Sequence, residues 1–141
     1  MTDVDRETPS GFARHFRQSP LTDPWEPLYS RVTETAVLLG VRVRSAHTNS
    51  RGLLHGGLIS ALADNAMGLS CGRQQPEGTR LVTASLSVDF LGLAEIGQWL
   101  EVDTGFVKAG RTLSFAQCFV TADGKPIARA SASFAVSRPS S

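Results

Sequence analysis

The chain has 141 residues, 41% of them hydrophobic, with 14 Lys and Arg set against 13 Asp and Glu. That length makes one domain the expectation, with a core burying roughly two thirds of the unfolded surface, so neither disulfides nor a metal is needed for folding. The near-cancelling charge leaves no broad basic face, which argues against nucleic acid or an anionic membrane as a partner.

Residues 1–34 are polar and punctuated by Pro9, Pro20, Pro24 and Pro27. They are read as an N-terminal arm or lid with one helical patch around residues 11–17. Phe12, Trp25 and Tyr29 serve the arm as core anchors, with covering a pocket as the second use. Asp3, Asp5 and Glu7 stand where a signal peptide would need apolar residues, so none is expected. Cys71 and Cys118 have neither metal-ligand nor redox spacing, which predicts reduced thiols and a cytoplasmic protein. A domain spanning residues 35–138 follows the arm, and residues 139–141 form a tail. It opens with Val37, Leu39, Val41 and Val43 alternating against Leu38, Gly40 and Arg42, the period of a strand.

The run Leu54-His55-Gly56-Gly57-Leu58-Ile59-Ser60-Ala61-Leu62-Ala63-Asp64-Asn65-Ala66-Met67-Gly68 is the most informative stretch. His55, Asp64 and Asn65 interrupt its apolar character, which argues against a membrane span. A helix beginning at the two glycines aims unpaired N–H groups and a positive dipole end outward. Such a helix end suits a carbonyl oxygen that becomes anionic during reaction. Asp64 has Ser60, Ala61, Met67 and Gly68 three or four residues away, so no lysine or arginine is placed for a helical ion pair. A half-buried, locally unpaired carboxylate costs free energy, which points to a use in chemistry.

Beyond this helix, Gln74-Gln75-Pro76-Glu77-Gly78 reads as a loop. Val82, Ala84, Leu86, Val88 and Phe90 then alternate with Thr83, Ser85, Ser87 and Asp89, placing the two sets on opposite strand faces. Strands over residues 99–108 and 112–121 flank Ala109-Gly110-Arg111, and Asp123-Gly124 turns the chain into a last strand over residues 127–136. One strand, one long helix and four strands joined by short glycine turns give an α+β fold. The sheet is antiparallel and wraps around one long central helix, an arrangement known as the hotdog fold.

Residues 49–68, together with Gly110-Arg111-Thr112-Leu113-Ser114-Phe115, resemble the PaaI-type branch of the hotdog acyl-CoA thioesterases. The resemblance extends over about residues 35–137. It implies hydrolysis of an aryl- or medium-chain acyl-CoA, with no cofactor and no metal. It also implies that the Gly57 amide binds the thioester carbonyl and that Asp64 is the general base or the nucleophile. Asn49 falls on the family's asparagine six residues before the histidine, and Thr83 stands where the family has serine. Gly56 and Asn65 complete the substrate-binding motif, and the hairpin carrying Lys108, Arg111 and Thr112 is expected near the phosphates of coenzyme A. His55 orients the loop through its ring hydrogen bonds.

Spacing adds a separate constraint. Gly57 and Asp64 are seven residues apart, so on one helix they lie about 10 Å apart along the axis. Reacting groups must approach to about 3 Å, so one subunit cannot supply both. A two-fold dimer, or a dimer of dimers, with Gly57 of one chain facing Asp64 of another, is the expectation. Two other classes compete: a hotdog dehydratase or hydratase acting on 3-hydroxyacyl thioesters, with His55 as base, and an acyl-CoA binding protein without turnover.

Overall fold

The computed structural model of the protein describes residues 8–140. The first seven residues of the arm, with Asp3, Asp5 and Glu7, and Ser141 of the tail lie outside the described residues. No helix among the described residues is long and apolar enough to cross a membrane. The strands are β1 (Ala13–Arg14), β2 (Tyr29–Val32), β3 (Val37–Arg42), β4 (Arg80–Phe90), β5 (Trp99–Lys108), β6 (Leu113–Ala122) and β7 (Lys125–Ser137), with one helix, α1 (Gly56–Arg73), between β3 and β4. They form one antiparallel sheet in the order β1-β2-β3-β5-β6-β7-β4.

The predicted alternation of residues 36–44 is fulfilled by β3, whose Val37, Leu39 and Val41 are buried against the helix. Leu58, Ile59, Leu62, Ala63, Ala66, Met67, Ser70 and Cys71 form the buried stripe of α1, at the three- and four-residue spacing of one helical face. They pack on β3, β5, β6, β7 and β4, so the sheet wraps the helix as the sequence predicts. Ser70 is tolerated in this stripe because its hydroxyl takes the Val37 amide at 3.0 Å. The stripe with Asp64, Asn65, Gly68 and Gly72 is less buried and lines a cavity against the start of β4 and Phe134 of β7.

Both hairpins fall where their glycines predict. Asp123 and Gly124 occupy positive φ (48° and 83°), the primed turn that suits the twist of paired strands. Gly110 is required by close approach, since a Cβ there would sit 2.1 Å from the Leu113 carbonyl oxygen. The cysteines are free and buried, and burial pushes the Cys71 thiol up to about 11 and the Cys118 thiol to about 12.

Three features depart from the sequence expectation. The helical patch around residues 11–17 is instead the short strand β1, because Ala13 and Arg14 pair with Ser30 and Tyr29 and the sheet supplies hydrogen bonds that a short helix could not match. The arm thereby adds β1 and β2 to the strands that the sequence pattern revealed. The even alternation along β4 is also broken: Thr83 pairs Phe134 while Ser85 pairs Ser133, leaving Ala84 as the extra residue of a bulge. Val82 is therefore opposite Ala135 on the outer face, and Thr83 shares the helix-facing side with Leu86, Val88 and Phe90.

Phe12 and Tyr29 gather on Trp99, with ring centroids 5.4 and 5.8 Å apart, and Trp25 packs against the core. The arm's aromatic residues are thus anchors, as the first of their two expected uses has it.

Candidate active site

His55 ends an extended segment and caps α1. Its Nδ1 accepts the Gly57 amide at 2.7 Å, and its own amide donates to the His47 carbonyl at 2.9 Å. A histidine cap in this geometry directs the first turn of the helix, and Gly57 N–H is the donor it holds. Gly56 lies under the Phe90 ring, where a Cβ would come within 3.2 Å of the aromatic carbons.

Asp64 lies two turns further along. The bulge in β4 delivers Thr83 to it, and the threonine hydroxyl donates to Asp64 Oδ1 at 2.7 Å. This contact, which the sequence pattern did not specify, is made through a strand irregularity that the sequence does not announce. Asp64, Asn65 and Thr83 open together onto a cavity of about 890 Å³. The cavity runs along the uncovered stripe of α1 past Gly68, Leu69 and Gly72, and its further wall is the N-terminal arm.

The remaining candidates lie elsewhere. Asn49 closes its own loop: its Oδ1 accepts the amides of Arg51 (2.9 Å) and Leu53 (3.2 Å), an Asx turn. Lys108, Arg111 and Thr112 belong to the β5–β6 hairpin at the opposite end of α1 from Gly57. There Gln75 binds the Gly110 carbonyl at 2.8 Å and the Ser114 hydroxyl at 2.9 Å, and Arg138 braces Gln75 at 2.9 Å. An 18-residue helix is about 27 Å long, so one chain brings Asp64, Asn65 and Thr83 together but not the hairpin and Gly57.

The family model of the thioesterase superfamily matches residues 51–128, the span from the loop before His55 into β7. The chain belongs to the thioesterase superfamily. Its enzyme class is therefore that of the thioester hydrolases. A Pseudomonas aeruginosa protein named as an esterase is 35% identical over 127 residues, covering 89% of this chain and 95% of the relative. The acyl-coenzyme A thioesterase 13 of Homo sapiens is 33% identical over 97 residues, covering 66% of this chain and 67% of that protein. A Streptococcus mutans protein solved with acetyl-CoA bound superimposes with a TM-score of 0.68 at 27% identity, covering 76% of this chain and 85% of that one.

The arm or lid expected from the sequence borders the cavity, but through residues other than the aromatics expected to cover it. His15, Arg17, Ser19, Thr22 and Leu28 all line it, as do Arg73 at the end of α1 and Arg80 at the start of β4. No local signal marks these residues, because tertiary contacts rather than local pattern fold residues 15–28 across the face of the helix.

A network around His47 holds the arm there. His47 Nδ1 accepts the Arg44 amide at 3.0 Å, so its Nε2 carries the proton and donates to the Trp25 carbonyl at 2.8 Å. The Arg44 guanidinium binds the carbonyls of Pro24, at 3.1 Å, and Glu26. Burial and the neighbouring Arg44 charge hold the His47 pKa below the ordinary histidine value, against the bond to Trp25.

Proposed function

We propose that the protein hydrolyses the thioester of an aryl- or medium-chain acyl-CoA to the free acid and coenzyme A. The observation that carries this is the Asp64–Thr83 pair opening onto a cavity large enough for an acyl group, on a helix that begins with the Gly57 donor. The thioester carbonyl oxygen takes the Gly57 amide, which stabilises the oxyanion; losing one such donor typically costs about 3 kcal/mol in the barrier. In accepting it, the substrate displaces His55 Nδ1 from that amide.

Asp64 of the partner subunit acts on the carbonyl carbon by one of two routes. As a base, it removes a proton from water while the water oxygen bonds to the carbonyl carbon; the tetrahedral intermediate then expels the thiolate of coenzyme A. As a nucleophile, it forms the bond itself, releases the thiolate and leaves an anhydride that water opens. Thr83, holding Oδ1, leaves Oδ2 to do either. Asn49 and His55 shape the loop that presents the glycines, and Gly56 and Asn65 flank the thioester. Lys108, Arg111 and Thr112 approach the coenzyme A phosphates from the hairpin. The hydratase alternative needs His55 as the base in place of Asp64, and the crotonyl-CoA assay below separates the two.

The deciding experiment measures thiol release from phenylacetyl-CoA and medium-chain acyl-CoAs. Asp64→Asn is expected to lower kcat by about 100-fold or more while substrate still binds, the usual scale for a positioned acid–base group. Unchanged thiol release in this variant would remove Asp64 from the chemistry. Hydration of crotonyl-CoA by the wild type would favour the competing enzyme class.

A further inference from the structure

β4 is an edge strand of the sheet, and each end of it touches one half of the site. Near its start the Thr83 hydroxyl holds Asp64 Oδ1 at 2.7 Å. At its end the Phe90 ring lies over Gly56, the residue before the Gly57 donor. A site that draws Gly57 from one copy and Asp64 from another has to bring the Phe90 end of one strand to the Thr83 end of the other. Two copies of β4 running antiparallel across a two-fold axis do this.

The register follows from the pleat. Residues directly opposite each other in an antiparallel pair point to the same face, so a strand paired with its own copy is centred on a residue, not between two. Leu86, Val88 and Phe90 face the helix, and Ser85, Ser87 and Asp89 face the other way. At the bulge Thr83 and Ala84 share one position of the ladder. A centre at Ser87 sets Phe90 opposite Thr83 and Ala84, whereas Leu86 or Val88 as the centre leaves it two positions away.

The same register matches the remaining side chains, independently of the Gly57 and Asp64 requirement that selects it. Leu86 stands opposite Val88 on the helix side; on the other side Ser87 stands opposite its own copy, and Ser85 opposite Asp89. Beyond the bulge the exposed Val82 meets the exposed Leu91. No like charges are opposed, and Asp89 keeps its ion pair with Arg129 at 3.0 Å.

We propose that a second copy of this chain pairs with β4 about Ser87, and that Phe90 of each chain, lying over its own Gly56, packs on the partner's Thr83. Phe90 then ties Gly57 of one chain to Asp64 of the other. This rests on the thioesterase reading for the demand that the two groups meet.

Disulfide cross-linking reads the register. Opposite Cα atoms of an antiparallel pair are about 4.5–5.5 Å apart, within disulfide reach, whereas positions four residues out of register are about 14 Å apart. Ser87→Cys is therefore expected to give a covalent dimer under mild oxidation. Ser85→Cys and Asp89→Cys should each run as a monomer on a non-reducing gel when alone, and cross-link when refolded together. Cys71 and Cys118 are buried, so the wild type gives the uncross-linked baseline. The oxidised Ser87→Cys dimer should release thiol from acyl-CoA within a few-fold of the wild-type rate.

Self-linking of Ser85→Cys or Asp89→Cys overturns the register, and so does the absence of cross-links both at Ser87 and in the mixed pair. A Ser87→Cys dimer that loses on oxidation the activity of its reduced form overturns the joining of the half-sites. Cross-links as expected, in a protein that releases thiol from no acyl-CoA, leave the interface standing and sink the thioesterase reading. Thiol release without the cross-links does the reverse.

Discussion

A carboxylate has to be aimed as well as placed, and the single hydrogen bond from Thr83 to Asp64 Oδ1 does the aiming here. A bond of a hydroxyl to a charged partner contributes about 1.5–3 kcal/mol. Thr83→Val keeps the shape and removes the donor, so kcat for thiol release is expected to fall by about 10- to 100-fold on that scale. Thr83→Ser keeps the donor and should stay within a few-fold of wild type, at about the level set by a freer side-chain rotamer. Equal loss in both variants would mean that the methyl group, through packing, matters and the hydroxyl does not. The identity of this residue was legible in the sequence, since the family pattern points to a hydroxyl at this position. Its direction was not: period-two alternation assigns Thr83 to the face of Ser85 and Ser87, and only the extra residue Ala84 turns it toward Asp64.

Among the elements, α1 could be read from its glycine start and its run of small and apolar residues, and the strands after it from alternation and glycine turns, although bulges in β4 and β5 interrupt the pattern. The arm could not, because its order comes from tertiary hydrogen bonds. β1 is two residues long, and residues 22–28 are held by the Arg44 and His47 side chains from a distant loop. That dependence gives the arm a pH response. His47 is neutral in the folded protein, with one ring nitrogen accepting and the other donating, and its pKa lies below the ordinary value of about 6.5.

Below about pH 6.5 the unfolded chain takes up a proton that the folded chain refuses, so the stability supplied by neutral His47 is present above that pH and lost as pH falls toward the depressed folded value. His15 is shifted in the same direction. Thermal unfolding followed from about pH 7 to pH 5 should therefore show Tm falling, with a shallower slope in His47→Gln than in wild type. A slope unaltered by the substitution would place the origin of the response in other groups. Because His47 also accepts the amide of His55 on its carbonyl, loosening the arm is transmitted to the residue that caps α1.

At the scale of the whole molecule, the sheet ends in β4, an eleven-residue strand whose outer side pairs with no strand among the described residues. Val82, Leu86 and Phe90 along it are 68%, 38% and 55% exposed. A long apolar edge of this kind is an aggregation hazard unless another chain covers it. The same strand carries Thr83, so a second copy docking there would arrive beside Asp64. If Gly57 and Asp64 act on one thioester as proposed, their separation of about 10 Å along the axis calls for such an arrival, because it exceeds any reacting distance.

Complementation between two inactive variants tests this directly. Gly57→Pro removes the amide proton in the first turn, where proline is tolerated, and Asp64→Asn removes the carboxylate. If each site draws Gly57 from one chain and Asp64 from the other, a mixed dimer has one site with both groups intact and one with both lost. Refolding the two variants together in equal amounts then makes about half the dimers mixed, and about a quarter of the wild-type thiol release returns. If each chain supplied both groups to its own site, every site in the mixture would carry one defect and the activity would stay at the level of the separate variants.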